Sequence, residues 1–434
     1  MFSTIRNAWA IPDLRKKLIY TILLLIVFRL GSFIPVPGLE RGVLESLVAG
    51  GGLFELLDMM TGGAFAQATI FAMGIAPYIN ASIIMQLLTV AIPAFERMQK
   101  EGEDGRKKLA QYQRYGTVLL AILQAWGLYA LLNTGFGMGG ASLITNPGFT
   151  TALMVIITFT AGTAFLMWLG EQITEKGIGN GISLIIFAGI VSRVPHMAMN
   201  LLSWVQGGEG NGRWAGLILV LAVGLAVVGF VVQMNEAERR IPVQYAKRVV
   251  GRKMYGGQST HIPIKVASAG VIPIIFAVSI LAFPGTIAQM FGAGGPDATG
   301  FWAGVIRWMS PTHWFFGVAQ FFLIIFFTYF YTAIQFNPVE MGNNMKKNGG
   351  FIPGIRPGRP TSEYIAKVLG KITTAGAIFI ATIAVFPLFL SLGFGFTAFA
   401  IGGTSLLIVV GVALETVRQL ESQMLMRHYK GFLE

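Results

Sequence analysis

Two apolar segments of this chain each occur twice. GIAPYINASII at 74–84 returns as GVIPIIFAVSI at 270–280, and GISLIIFAGIV at 181–191 returns as GTSLLIVVGVA at 403–413. The matched positions include Gly74 with Gly270, Pro77 with Pro273, Gly181 with Gly403 and Gly189 with Gly411. A chain that repeats such segments in the same order is built from two equivalent halves, so any fold assigned to one half must also suit the other.

Hydropathy places both halves in a membrane. Of the 434 residues, 54% are hydrophobic and 12% are charged, with a mean hydropathy of +0.65. A soluble core cannot bury that much apolar surface. Runs close to the roughly 20 residues that span a bilayer lie at about 18–36, 68–92, 115–133, 150–170, 181–204, 214–233, 268–291, 314–335, 372–392 and 396–414.

These runs predict an all-α polytopic membrane protein with ten transmembrane helices, five in each half. The halves are residues 1–205 and 206–434. Because five is odd, the second half must enter the bilayer from the opposite side, which gives inverted repeats. The second span then corresponds to the seventh, and the fifth to the tenth.

The basic residues predict the orientation. Nearly all of the 32 Lys and Arg fall on one side of the predicted spans. The opposite side has only Arg41, Arg193, Arg213 and Arg307, and Arg29 lies within a span. By the positive-inside rule both termini are cytoplasmic. The first apolar run leads into prolines rather than a small-residue cleavage site, so we expect the first span to be retained.

Four isoleucines occupy equivalent positions in the repeat. Ile79 corresponds to Ile275, and Ile186 corresponds to Ile408. Each lies near small residues, which allow helices to approach closely. For any single isoleucine, contact with lipid or with a neighbouring helix is the simpler explanation. The equivalence of all four favours a meeting point around the axis that relates the halves.

An apolar meeting point at mid-membrane favours a seal over an ion-coupled site. Ion-coupled transporters bury ionisable groups there, and this sequence offers only Arg29, for which snorkelling or pairing within the bundle is expected. Ile83 and Ile190, one turn further along, would widen the seal. The second half has Ser279 and Val412 at those positions, so the seal is not strictly repeated.

Polar residues accompany the isoleucines on the second, fifth and seventh spans. They could line a seam between the second and seventh spans, although serines that hydrogen-bond to their own helix would need no such role. They are Asn80, Ser82, Gln86, Ser183, Ser268 and Ser279.

The segment 40–69 is too long for a turn and has few charges. Glycines precede LFELLDMM, and Gly62 and Gly63 follow it, which predicts a short half-helix with a glycine hinge at each end. Such an element at membrane depth requires a cavity. An amphipathic hairpin lying on the outer surface is the alternative.

Two long cytoplasmic loops, 234–267 and 336–371, mix basic residues with Tyr, Gly and Pro. The positive-inside bias supplies many of these charges. The length of the loops exceeds what topology needs, which favours docking of a large acidic partner. The basic residues assigned to docking are Arg240, Lys247, Arg248, Arg252, Lys253, Arg356 and Arg359.

No enzyme motif is present in the sequence. HExxH, the P-loop and GxSxG do not occur, and the four histidines lack metal-ligand spacing. We therefore expect no catalysis, no cofactor and no metal. Two other functions stay open at this point: a secondary solute transporter, which would need a mid-membrane ionisable group, and a membrane scaffold or insertase without a pore.

Seven motifs together resemble the SecY family of protein-conducting channels in its bacterial form. The resemblance covers nearly the whole chain and rests on GIAPYINASIIMQLL, QYQRYGT, GIGNGISLIIFAGI, ERRIPVQYAKR, QSTHIPIKVASAGVIP, FIPGIRPGRPTSEYI and GGTSLLIVVGV. It implies a clamshell of two inverted halves around a central pore, with a lateral gate between the second and seventh spans.

The resemblance also implies roles for residues. The pore ring would be Ile79, Ile83, Ile186, Ile190, Ile275 and Ile408. A plug at about Leu57 to Gln67 would include Leu57, Asp58, Met59, Met60, Thr61, Gly62, Gly63, Ala64 and Phe65. The lateral gate would be lined by Asn80, Ser82, Gln86, Ser268 and Ser279. Arg240 and Arg356 match the family's partner-binding arginines.

The implied partners follow from the same resemblance. They are the subunits SecE and SecG, the SecA motor ATPase, the ribosome through its RNA, signal peptides and nascent chains, and the lipid bilayer. The implied location is the bacterial inner membrane.

Overall fold

The computed structural model describes residues 2–39, 44–45, 48, 58, 61–133, 144, 146–206, 212–245, 248–250, 253–255, 259–267, 269–290, 301–310, 313–394 and 403–428. Its helices are α1 (Phe2–Ala10), α2 (Pro12–Gly31), α3 (Ala76–Ala91), α4 (Pro93–Lys100), α5 (Glu103–Asn133), α6 (Phe149–Lys176), α7 (Gly181–Gln206), α8 (Gly212–Glu236), α9 (Ile272–Met290), α10 (Phe301–Trp308), α11 (Trp314–Gln335), α12 (Pro338–Lys347), α13 (Arg359–Phe394) and α14 (Gly403–His428). The strands are β1 (Glu238–Tyr245), β2 (Arg248–Val250), β3 (Lys253–Tyr255), β4 (Ser259–Lys265) and β5 (Gly350–Phe351).

Ten helices follow the ten predicted apolar runs in order: α2, α3, α5, α6, α7, α8, α9, α11, α13 and α14. Among the described residues, seven helices are long and apolar enough to cross a membrane, or eight if α3 and α4, bent by 98°, count as one span. The helix α9 contributes a shorter apolar stretch. The first turns of α2 contain Arg15, Lys16 and Lys17, which lower its apolar content.

Several helix bounds differ from the predicted runs. The second run was expected to begin at 68, but α3 begins at Ala76 because Gly74 has a φ of +55°, which interrupts a helix. In contrast, α13 begins at Arg359, well before its apolar run. Hydropathy marks only the part of a helix that lies in the bilayer, whereas the hydrogen-bonded helix continues into water.

The backbone repeats where the sequence repeats. Gly74 and Gly270 have φ values of +55° and +61°, and each stands just before its helix. Gly181 and Gly403 are the first residues of α7 and α14. A Cβ on Gly181 would lie 1.9 Å from the carbonyl oxygen of Gly170. Glycine at this position therefore permits direct contact between the backbones of two helices.

The two loops predicted to be cytoplasmic form one body. The strand β1 pairs with β4 and with β5 in an antiparallel sheet of order β4-β1-β5, and β2 pairs with β3. Ile241 and Val243 are buried on one face of β1, in a cluster that includes Ile365 and Leu369 of α13. The membrane part is helical, as predicted, and these strands are an addition that the prediction did not contain.

A buried hydrophobic cluster draws residues from both halves. It includes side chains of α2, α3, α6 and α7 from the first half and of α9, α11, α13 and α14 from the second. Apolar faces of these helices that do not face lipid are covered in this way by helices of the opposite half. This shared cluster positions the candidate site.

Candidate functional site

All six isoleucines of the predicted pore ring lie in the shared cluster. Their exposed fractions are 0% for Ile186, 3% for Ile79 and Ile83, and 5% for Ile190, Ile275 and Ile408. They come from four helices, α3, α7, α9 and α14. The structure thus brings together residues that are up to 329 positions apart in sequence numbering, from 79 to 408.

Two of these isoleucines, Ile79 and Ile275, line a cavity of about 560 Å³. Ile272 and Phe276 of α9 form an apolar part of its wall. Arg114 and Glu171 form a polar part, and the guanidinium Nε lies 2.8 Å from the carboxylate Oε1. The cavity therefore offers both polar and apolar surface beside two of the predicted ring isoleucines.

Four predicted gate residues belong to two helices that contact each other, with Asn80, Ser82 and Gln86 on α3 and Ser279 on α9. Ser82 and Gln86 line the cavity, and the amide Nε2 of Gln86 donates to the Ser82 hydroxyl at 3.3 Å. Asn80 and Ser279 are buried, and within the described part of the chain the Ser279 hydroxyl makes no hydrogen bond. Ser268 lies outside the described residues.

An unsatisfied buried hydroxyl costs on the order of 1–3 kcal/mol. This cost applies to the Ser279 hydroxyl of α9.

The predicted plug differs from the expected half-helix. Asp58 and Thr61 are helical, but 62–68 forms consecutive turns. Gly62 and Gly63 have φ values of +69° and +90°, and the Gly63 amide donates to the Asp58 carbonyl at 3.0 Å. This is the bond of a glycine-terminated helix end, so the helix ends at Thr61. Leu57, Met59 and Met60 lie outside the described residues.

Polar contacts hold this segment against α2 and α7. Arg193 Nη1 lies 2.6 Å from Asp58 Oδ2, and the Asp58 side chain is only 1% exposed. Asp58 Oδ1 also accepts from the Ala66 amide at 2.8 Å. On the other side, Arg29 Nη1 donates to the Gly62 carbonyl at 3.0 Å. Arg29 thus pairs within the bundle, as expected.

Gly62 also fits α7 closely. A Cβ at this position would lie 2.7 Å from the Gly189 Cα, so the two glycines allow backbone contact. Gly189 belongs to the repeated segment that begins α7. The small residues of the repeat therefore allow close contact with the predicted plug segment as well as with neighbouring helices.

Sequence reasoning missed Arg193 as a functional residue. It was counted only as one of the few basic residues on the outer side. Its partner lies 135 positions earlier, and no local pattern links the two. An acidic residue in a largely apolar segment is a signal that a cationic partner is required if the residue is buried.

The predicted docking residues lie on the two joined loops. Arg240 on β1 is 65% exposed and its Nε lies 2.7 Å from Glu238 Oε1. Arg356 is exposed in the turn that follows β5, and Arg359 pairs with Glu363. Arg248 and Lys253 belong to β2 and β3. Lys247 and Arg252 lie outside the described residues.

Comparisons with known proteins agree with this architecture. The family model SecY matches residues 69–417. The protein translocase subunit SecY of Halalkalibacterium halodurans is 49% identical over 445 residues, covering 100% of both chains.

Two solved structures have the same fold. One concerns the plug domain of the SecY protein, which stabilises the closed state of the translocation channel; it has a TM-score of 0.63 and 19% identity, over 94% of this chain and 92% of that one. The other is Sec61 in a canine ribosome–channel complex from the endoplasmic reticulum, with a TM-score of 0.59 and 18% identity over the same shares.

Proposed function

The chain belongs to the SecY family, and from that premise we propose that it is the pore-forming subunit of a protein translocase. It is a multi-pass membrane protein and a channel subunit rather than an enzyme. Secretory proteins would pass through the pore, and membrane proteins would leave it sideways into the lipid.

One observation carries the proposal: a cavity with mixed polar and apolar walls is lined by two isoleucines of a cluster shared by both halves. Ions crossing such a cluster would lose hydration without compensation. A flexible polypeptide can push the side chains apart. The cluster would therefore seal the pore at rest and close around a chain in transit.

The plug segment and the seam complete the proposed channel. The turns at 62–68, held by Arg193 and Arg29, would block one side of the cluster until a substrate displaces them. The contact between α3 and α9 would be the lateral gate, with Asn80, Ser82, Gln86 and Ser279 along it. Opening is a population shift driven by substrate and partner binding.

Further parts of the proposal concern location and partners. We place the protein in the bacterial inner membrane, with both termini in the cytoplasm and the β4-β1-β5 sheet on the cytoplasmic side. SecE and SecG would be its companion subunits. The SecA motor ATPase or the ribosome would dock on the sheet and supply the driving energy.

Cysteine cross-linking tests the route of the substrate. The chain has no cysteine, so Ile79→Cys and Ile275→Cys can each be paired with one cysteine in the middle of a secreted protein that is stalled in transit. Both sites should form disulfides with the stalled chain, because both side chains line the cavity. The measurement is the fraction of substrate that becomes cross-linked.

Phe322→Cys is the control, since this side chain is 65% exposed on the outside of α11. It should give background cross-linking only. Cross-linking at Ser82→Cys without cross-linking at the two isoleucine sites would place the substrate along the seam. The insertase function would then replace the channel.

Charge reversal tests the docking surface. The double variant Arg240→Glu and Arg356→Glu should weaken docking of ribosomes or the motor at least about tenfold, because cationic contacts to phosphate or acidic groups are lost. Both side chains are exposed, so the folded amount should stay unchanged. Binding at several salt concentrations measures this, and the salt dependence of the residual binding should decrease.

Arg106→Glu provides the matched control, since Arg106 is exposed on α5 and lies outside the two loops. Docking of this variant should equal that of the wild type. Unchanged docking of the double variant, or loss of its folded form, would contradict the proposed role of Arg240 and Arg356.

A further inference from the structure

The helix α14 connects the isoleucine cluster to the cytoplasmic sheet. It is continuous from Gly403 to His428. Ile408, near its start, is buried in the shared cluster, and Arg418 lies ten positions later. At about 1.5 Å per residue, the two residues are separated by roughly 15 Å along a stiff helix.

Arg418 binds the end of the helix that leads into the sheet. Its Nη2 donates to the Asn235 carbonyl at 2.6 Å. Asn235 lies in the last turn of α8, where carbonyls have no partner within the helix. A cation at this end also matches the helix dipole. The side chain thus joins α14 to α8 at the point where α8 ends.

The connection from α8 to the sheet is short and hydrogen-bonded. Only Ala237 separates α8 from β1. Its amide donates to the Gln233 carbonyl at 2.9 Å, and its carbonyl accepts from the Val266 amide at 3.0 Å. Because Val266 directly follows β4, the ends of α8, β1 and β4 meet at one place. A shift of the sheet must therefore move the end of α8.

Charged residues of the sheet and of α14 surround this junction. Glu238 pairs in register with Lys265 across β1 and β4. Partial burial, and after it the positive charge of Arg418, lowers the pKa of Lys265, while Glu238 and Glu415 oppose that shift. Arg418 and Glu415 of α14 therefore act electrostatically on the base of the sheet.

We propose that Arg418 is a positioning residue that couples the cytoplasmic sheet to the isoleucine cluster through α14. The inference rests on the proposed function. A partner that docks on β1 would displace the end of α8, and Arg418 would transmit this displacement to the helix that contains Ile408. Without the Arg418 contact, the partner would still dock, but docking would displace the isoleucine cluster less.

Arg418→Met tests the coupling, because methionine keeps much of the apolar length of the side chain but has no donor. The purified complex is reconstituted in vesicles with the motor ATPase and a secreted test protein. Motor affinity should be unchanged, while transport per bound motor should fall about tenfold, within the 5–150-fold range of typical coupling. Arg418→Lys retains a donor and a charge and should give an intermediate rate.

Arg106→Met is the matched control and should behave as wild type in both measurements. A parallel loss of affinity and transport in Arg418→Met would make Arg418 part of the docking surface and overturn the proposal. Wild-type transport would overturn it as well. Loss of the folded complex in both Arg418 variants, judged by thermal melting, would make the residue purely structural.

The same assay separates this inference from the proposed function. If the wild-type complex does not transport the test protein at all, the proposed function fails. If the wild type transports and Arg418→Met transports equally well, only the coupling role fails.

Discussion

A cysteine introduced at Ala64 should react with a membrane-impermeant thiol reagent about 100-fold faster when Arg193 is replaced by methionine. Ala64 is fully buried, so labelling reports release of the plug segment. Removing Arg193 leaves Asp58 buried without its cationic partner. Losing one partner of a buried ion pair costs about 3–5 kcal/mol, and about 3 kcal/mol corresponds to a factor of roughly 100 in population.

The measurement is the labelling rate in sealed vesicles, in the Ala64→Cys background. Arg307→Met is the matched control, because Arg307 is exposed on α10; its rate should equal that of the parent. A double-mutant cycle with Asp58→Asn assigns the effect to the pair, since the double variant should lose less than the sum of the single losses. An unchanged rate in Arg193→Met would mean that the ion pair does not hold the plug.

The Arg193–Asp58 ion pair suits a releasable contact better than a permanent structural one. A buried pair offers little net stability, because desolvation of both charges offsets their attraction. Removing one partner is nevertheless strongly destabilising, because the other charge stays buried without compensation. Arg29 adds a second polar contact by donating to the Gly62 carbonyl. The proposed plug is thereby held by directional polar contacts in addition to the burial of Ala64, Phe65 and Ala68.

The sequence predicted the parts of the fold that depend on local pattern. Ten helices follow the ten apolar runs, and the equivalent glycines Gly74 and Gly270 share a positive φ. The repeat also selected Ile79, Ile186, Ile275 and Ile408, all of which the structure buries in one cluster. Repetition and hydropathy are properties of the chain itself, so they can be recognised before folding is considered.

Contacts between distant segments escaped prediction for a physical reason. The pairing of Arg193 with Asp58 and of β1 with β5 joins residues far apart in the chain, and neither partner indicates the other. The strand β1 did contain a signal: Ile241 and Val243 alternate with exposed residues, which is the period of a strand. The interpretation of that loop relied on its basic residues and overlooked the alternation of apolar and polar positions.

Two seals in series predict a particular pattern of ion leakage. The plug and the isoleucine cluster lie on the same proposed path, so ions cross only when both fail. Replacing Ile79 and Ile275 together with serine should lower the dehydration barrier at the cluster. A reduction of about 1.4 kcal/mol multiplies a rate roughly tenfold. While the plug is in place, however, the resting conductance should rise only slightly.

Adding Arg193→Met to the two serine substitutions should therefore raise the resting conductance in planar bilayers by at least about tenfold over either parent variant. Ile173→Ser is the matched control, because Ile173 is equally buried in the same cluster but does not line the cavity. A full leak with the serine substitutions alone would mean that the plug is no barrier. No leak in the triple variant would place the isoleucines off the path, because a conduction path with both seals weakened must pass ions.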